Sequence, residues 1–211
     1  PPALGMMDLD MNFAPPKGIG LAVKSPVING GGFLEFDPDN HRYAGVLTLN
    51  FLEIELTAIG LINTRLPNYQ KGFSMLVSIS VLFAPPIQLS FGFTLNGVGG
   101  IIGIRRTVNV KVLQERIRKG AITSIMFPKD VIKNAPKIIS DLRAIFPPKK
   151  GLYVVAPLLR SGWGSPTIVE VDLGVVVEIP FKSRVLLLGS VGIYLPNKTV
   201  KKRLVELHID I

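Results

Sequence analysis

Apolar and polar residues alternate with a period of two along most of this chain. Ile87, Leu89, Phe91, Phe93 and Leu95 are apolar, and Gln88, Ser90, Gly92, Thr94 and Asn96 between them are polar or small. Phe73, Met75, Val77, Ile79, Val81 and Phe83 alternate in the same way with Ser74, Ser78 and Ser80. Successive side chains of a strand point to opposite faces, so each segment predicts a strand with one large apolar face. Together they predict a hairpin, residues 73–83 paired with 87–95, turned at Pro85-Pro86 with the odd-numbered residues inward. On that reading Phe91→Asp costs on the order of 3 kcal/mol or more.

The pattern recurs downstream. Val169, Val171, Leu173, Val175, Val177 and Ile179 alternate with Glu170, Asp172, Gly174 and Glu178, and Val205, Leu207, Ile209 and Ile211 with Glu206, His208 and Asp210. Near Phe51-Leu52 the phase slips from Leu47, Leu49 and Phe51 to Ile54, Leu56 and Ala58, predicting a bulge or sharp bend. Further strands are expected over 19–24, 33–36, 152–157 and 184–195, about nine in all, with the Gly, Pro, Asn and Asp punctuation of an antiparallel meander.

Residues 108–146 change period. Val110, Leu113 and Ile117 share a helical face, with Gly120 as a C-terminal stop. Asn134 and Pro136 mark a second helix start, Ile138, Ile139, Leu142, Ile145 and Phe146 form its apolar stripe, and Pro147-Pro148 ends it. The expected fold is therefore α+β and predominantly β. A large bent antiparallel sheet carries the two helices against its apolar face, within a single domain or fragment spanning residues 1–211.

Charge adds one fact to this picture. From Arg105 to Lys150 there are twelve basic and three acidic residues, which accounts for the whole net charge of +9, since the rest balances twelve against twelve. A local cationic segment says where an acidic partner would dock. Its candidates are Arg105, Arg106, Arg116, Lys119, Lys133, Lys137 and Arg143. The expected acidic partner is anionic lipid. Nucleic acid is not expected, because exposed aromatics are not interleaved with the cations. The bland alternative is that these cations pair with acids of this or a neighbouring domain.

Cysteine is absent, so disulfides and thiolate chemistry are excluded. Residues 72–104 carry no charge, but Pro85-Pro86, six glycines and the period-two pattern argue against a transmembrane helix. No signal peptide is visible at the N-terminus, which favours a cytoplasmic location. The start at Pro1-Pro2 and the strand running to Ile211 read as a fragment of a longer chain.

Catalytic signatures are missing. The run Asn96 to Ile104, NGVGGIIGI, lacks the Gly-Lys-Ser/Thr of a phosphate loop and the glycine spacing of a dinucleotide fingerprint, so its glycines are read as close backbone approach in a strand. His41 lies in the turn DPDNHRY, where Asp37 and Asp39 alternate with it, but the calcium-loop pattern is absent. His208 alternates with acids on a strand, and no Ser-His-Asp set forms from these two histidines. Glu53 with Glu55 and Glu170 with Asp172 share a face, as regular spacing on a solvated strand also dictates. Trp163, in SGWGSP, reads as a structural corner. No catalytic residue, metal or cofactor is expected.

Five runs carry a resemblance: NGGGFLEFDPDNHRYAG, LTAIGLINTRLPNYQKGFSMLVSIS, PPIQLSFGFTLNGVGGIIGIRRTV, GAITSIMFPKDVIKNAPKIISDLRAIFPP and RSGWGSPTIVEVDLGVVVEIP. From about Lys17 onward the chain resembles an uncharacterised bacterial domain family of unknown function, found within very long, strand-rich proteins. The resemblance implies no activity and no site residues.

Two functions remain as expectations. One is a non-enzymatic structural or scaffolding module, partnered by other domains of the same long chain or by assembly subunits. The other is binding or transfer of lipid or another apolar ligand along a hydrophobic sheet groove, with Phe73, Val77, Val81, Leu89, Phe91, Phe93, Val171, Leu173 and Val175 as the contact residues. An open groove of roughly several hundred Å³ favours the ligand, and a dry, close-packed interior favours scaffolding.

Overall fold

Short loops between long alternating segments leave the strands few ways to pair except each with its predecessor. The computed structural model, which describes residues 8–14, 18–25, 28–180, 184–195 and 198–210, shows that outcome. Its strands are β1 (Asp8–Ala14), β2 (Gly18–Lys24), β3 (Ile28–Asp37), β4 (Arg42–Phe51), β5 (Ile54–Arg65), β6 (Lys71–Gln88), β7 (Phe93–Arg106), β8 (Pro148–Trp163), β9 (Val169–Ile179), β10 (Arg184–Leu195) and β11 (Lys198–Asp210). They form one antiparallel sheet in sequence order, an uninterrupted meander. Between β7 and β8 the chain forms α1 (Val110–Arg118), α2 (Ile122–Ile125) and α3 (Ala135–Ile145). No described helix is long and apolar enough to cross a membrane.

The strand count exceeds the expected nine for two reasons. Residues 47–58 are two strands, because the phase slip is a hairpin turn at Leu52-Glu53, with Phe51 paired to Ile54 and Leu52 at φ 52°. A strand also forms at Asp8–Ala14. The Pro85-Pro86 turn is a second correction. Both prolines lie inside β6, where pairing with β7 is broken between Leu82 and Ile87, and the chain turns at Ser90–Gly92 instead. Proline lacks the donor a ladder needs, and an irregularity in the pairing accommodates it without ending the strand. Ile211 lies outside the described residues.

The helices form where their periodicity places them. The Asn109 side chain accepts from Val112 N at 3.2 Å and caps α1, and Gly120 at φ 82° follows its end. Asn134 precedes α3, but its side-chain amide donates to Lys129 O rather than capping. Leu113, Ile117, Ile138, Ile139, Leu142 and Ile145 are buried together with Ala44, Val46, Ile59, Leu61, Leu76, Ile101, Val154, Ala156 and Val176 of the sheet.

This core lies on the other side of the sheet from the one expected. In β6 the buried residues are Ser74, Leu76, Ser78 and Ser80, whereas Phe73 is 48% and Ile79 45% exposed. Helix seating explains the inversion. Small side chains let the helical segment approach the strands, and in β7 and β9 the seat of Phe127 and Met126 is glycine. A Cβ on Gly97 would lie 2.8 Å from Val81 O and 3.1 Å from the Phe127 ring, and one on Gly174 would lie 3.2 Å from Met126 Cε. The large odd-numbered residues of β6 would hold the helices off.

Candidate functional site

What the helices leave uncovered is the apolar face. Pairing aligns its side chains in rows that cross the strands. One row runs Leu34, Gly45, Gly60, Val77, Ile102, Val155, Val177 and Val185 from β3 to β10. A second runs Gly30, Leu49, Leu56, Val81, Val98, Leu159, Leu173 and Gly189. A third runs Phe36, Tyr43, Ile62, Met75, Ile104, Tyr153 and Ile179. No charged residue occupies any of the three. From strand spacing and rise, these rows span about 34 Å across the strands and about 20 Å along them, on the order of 700 Å². The largest apolar patch on a typical soluble monomer is roughly 300–600 Å².

The face is not uniformly flat. Gly32, Gly45 and Gly60 leave it without side chains beside Ala58, and the result is a trough of about 420 Å³ walled by Leu34, Leu47 and Val77. A Cβ on Gly60 would meet nothing within 4 Å.

Of the apolar residues read from the sequence, Phe73, Val77 and Val81 of β6 and Val171, Leu173 and Val175 of β9 belong to this face by register. Phe93 pairs with Trp163 at its end, and Leu89 and Phe91 sit at the neighbouring turn, Phe91 92% exposed at φ 59°. Phe91 is thus not inward. The trough glycines escaped sequence reading, because glycines on three different strands become neighbours only once register is known.

The cationic candidates are mostly engaged within the chain. Arg105, at φ 53°, turns onto the apolar side, its guanidinium 5.1 Å from the Phe73 ring centre and donating to Phe73 O at 3.1 Å. Arg106 is then buried under the helices, donating to Phe146 O and Asn63 Oδ1. Arg116 and Lys137 bind the buried Asp141 at 2.6 and 2.8 Å, Arg143 binds Glu35 at 3.0 Å, and Lys119 binds Glu115 at 2.7 Å. Lys133 is exposed and makes no ion pair among the described residues. Lys111, Arg118 and Lys129 are likewise exposed in this segment, across the sheet from the apolar face.

The polar groups beneath the helices are structural in their geometry. Arg160 holds Asp172 through two hydrogen bonds at 2.6 and 2.8 Å, with the Phe127 ring 4.7 Å from its guanidinium. Burial opposes the Arg160 charge, but the Asp172 hydrogen bonds and the Asp172 and Glu170 charges outweigh it and hold its pKa above the usual value. Glu170 accepts from Asn96 and Tyr194. Burial, then the Glu170 charge, pushes the Tyr194 phenol up. Asp37 accepts from Asn40 and Arg42, and Trp163 Nε1 donates to Phe91 O, tying the β8 end to the β6–β7 turn.

The fold and both faces extend over nearly the whole chain, and so does its match to a known family. The chain belongs to DUF6603, a family of unknown function that matches residues 2–211. No curated protein and no solved structure matches it. This DUF6603 chain presents two sheet faces, one apolar and bare, the other covered by helices.

Proposed function

We propose that this DUF6603 chain is a non-enzymatic module whose bare sheet face holds apolar molecules of the lipid class. The observation that carries this reading is the set of charge-free apolar rows reaching across up to eight strands, with Arg105 at one margin beside Phe73, left open by helices that cover the other side. Exposed apolar surface of that extent is costly in water at about 25 cal/mol per Å², which favours any apolar occupant. The glycine-floored trough supports a chain-like ligand, since its volume lies within the roughly 300–1,000 Å³ usual for small-molecule sites. Lys111, Arg118, Lys129 and Lys133 face away from the trough, so contact with anionic headgroups is electrostatic and separate from ligand holding.

A scaffolding role is the second reading, favoured by the regular rows of side chains. Two such faces pack at about 10 Å, as in a sandwich core. The two readings part on one experiment. A fluorescent fatty acid titrated into the purified chain should bind saturably at micromolar concentration, and Gly60→Val should weaken that binding at least tenfold by filling the trough. A chain that takes up no fatty acid but forms a stable dimer that Ile79→Asp splits is scaffold, and the ligand reading falls.

A further inference from the structure

Arg106 is a buried cation with no ion pair among the described residues. It is 0% exposed, and its two hydrogen bonds end on neutral acceptors, Phe146 O at 2.9 Å and Asn63 Oδ1 at 2.6 Å. Carboxylates on this side of the sheet have other partners: Glu35 pairs with Arg143, Asp37 with Arg42, and Glu178 accepts from Thr107 Oγ1 and Val108 N. Burial, and then the charge of Arg143, lowers the Arg106 pKa to about 10, as expected of a guanidinium with no carboxylate beside it. Its Nε has no hydrogen-bond partner among the described residues.

That atom has company. Three buried side-chain atoms among the described residues lack a partner: Arg106 Nε, Ser74 Oγ and Arg42 Nε. All three belong to neighbours of Asn63. Ser74 pairs with Asn63 from β6, Arg42 pairs with it from β4, and Arg106 donates to its side chain. Ser74 is itself 0% exposed. Each orphan can donate a hydrogen bond, and a native core rarely tolerates such donors unpaired.

We propose that a monovalent anion of the halide class sits beside Asn63 under the helices, accepting from Arg106, Ser74 and Arg42. A water molecule can accept from two of these donors, but it leaves the Arg106 charge uncompensated in a low-dielectric site, where an unpaired ion is costly. A halide supplies both the acceptor and the charge.

The test is thermal unfolding of the purified chain in sodium chloride, sodium bromide and sodium gluconate at matched ionic strength, together with anomalous scattering from bromide-grown crystals. Ligand linkage requires the wild-type Tm to rise with the logarithm of halide concentration above Kd and to stay flat in gluconate. Ser74→Ala should raise the halide concentration needed about tenfold. Arg106→Met should abolish the dependence, and it removes the buried charge that would otherwise demand a partner. A bromide peak among Arg106, Ser74 and Arg42 confirms the site even if a variant fails to fold. Equal Tm in all three salts with water density at that position overturns the proposal, as does halide stabilisation that persists in Arg106→Met.

Discussion

Phe91 holds a backbone conformation that suits glycine. It sits at φ 59° with its ring 92% exposed, so its side chain adds strain and little burial. Phe91→Gly should therefore raise stability by about 0.5–1 kcal/mol, and Phe91→Asp should change it by less than about 0.5 kcal/mol, both read from chemical denaturation. Arg160 is the opposite case. Removing it leaves Asp172 buried and unpaired, so Arg160→Met should cost about 3–5 kcal/mol, and adding Asp172→Leu should recover part of that loss. If the double variant is as unstable as the sum of the two single ones, the pair is not coupled as its geometry requires.

At the scale of elements, the sheet's two faces respond differently to the same small change. Gly97 lies against Phe127 and Leu82, where an added Cβ has no room, whereas Gly60 lies on the bare face with space around it. Gly97→Ala should cost on the order of 2 kcal/mol through overpacking. Gly60→Ala should be neutral or slightly stabilising, by up to about 0.5 kcal/mol, because it lowers unfolded-chain entropy. Equal costs at the two positions would contradict the assignment of the packed face. Existence and type of most elements were legible beforehand, with β9 at its expected bounds and α1 and α3 where their stripes lie. The short helix α2 was not, since four residues carry no periodic signal.

At the scale of the molecule, the apolar and cationic surfaces lie on opposite sides of the sheet and should be separable by mutation. Ile79→Asp with Ile102→Asp places two charges in the middle of the bare face, where both residues are more than two-fifths exposed. That double variant should stay folded by circular dichroism while fatty-acid binding is lost. Lys111→Glu with Lys133→Glu should leave fatty-acid binding intact and reduce flotation with anionic vesicles. The wild-type flotation should itself be weak and fall as salt rises from 0.05 M to 0.3 M, because exposed charges are screened beyond about 8 Å near 0.15 M. Flotation that resists salt would mean the apolar side, not the cations, meets the membrane.

Most strands, the two longer helices and the antiparallel meander were legible in the sequence, because side-chain period and short connections are local properties. The sequence also placed the whole net charge in one segment. It could not say which face the helices cover. Alternation separates two faces without naming the buried one, and the usual inference that the more apolar face goes inward fails here. Seating helices on strands demands small side chains, Ser78, Ser80, Gly97 and Gly174, and those stand on the less apolar side. Nor could it show that Arg42, Asn63, Ser74 and Arg106 are neighbours, since they lie on four strands and meet only through register. The candidate site, whether trough or buried donors, is a product of pairing across strands, which tertiary structure alone decides.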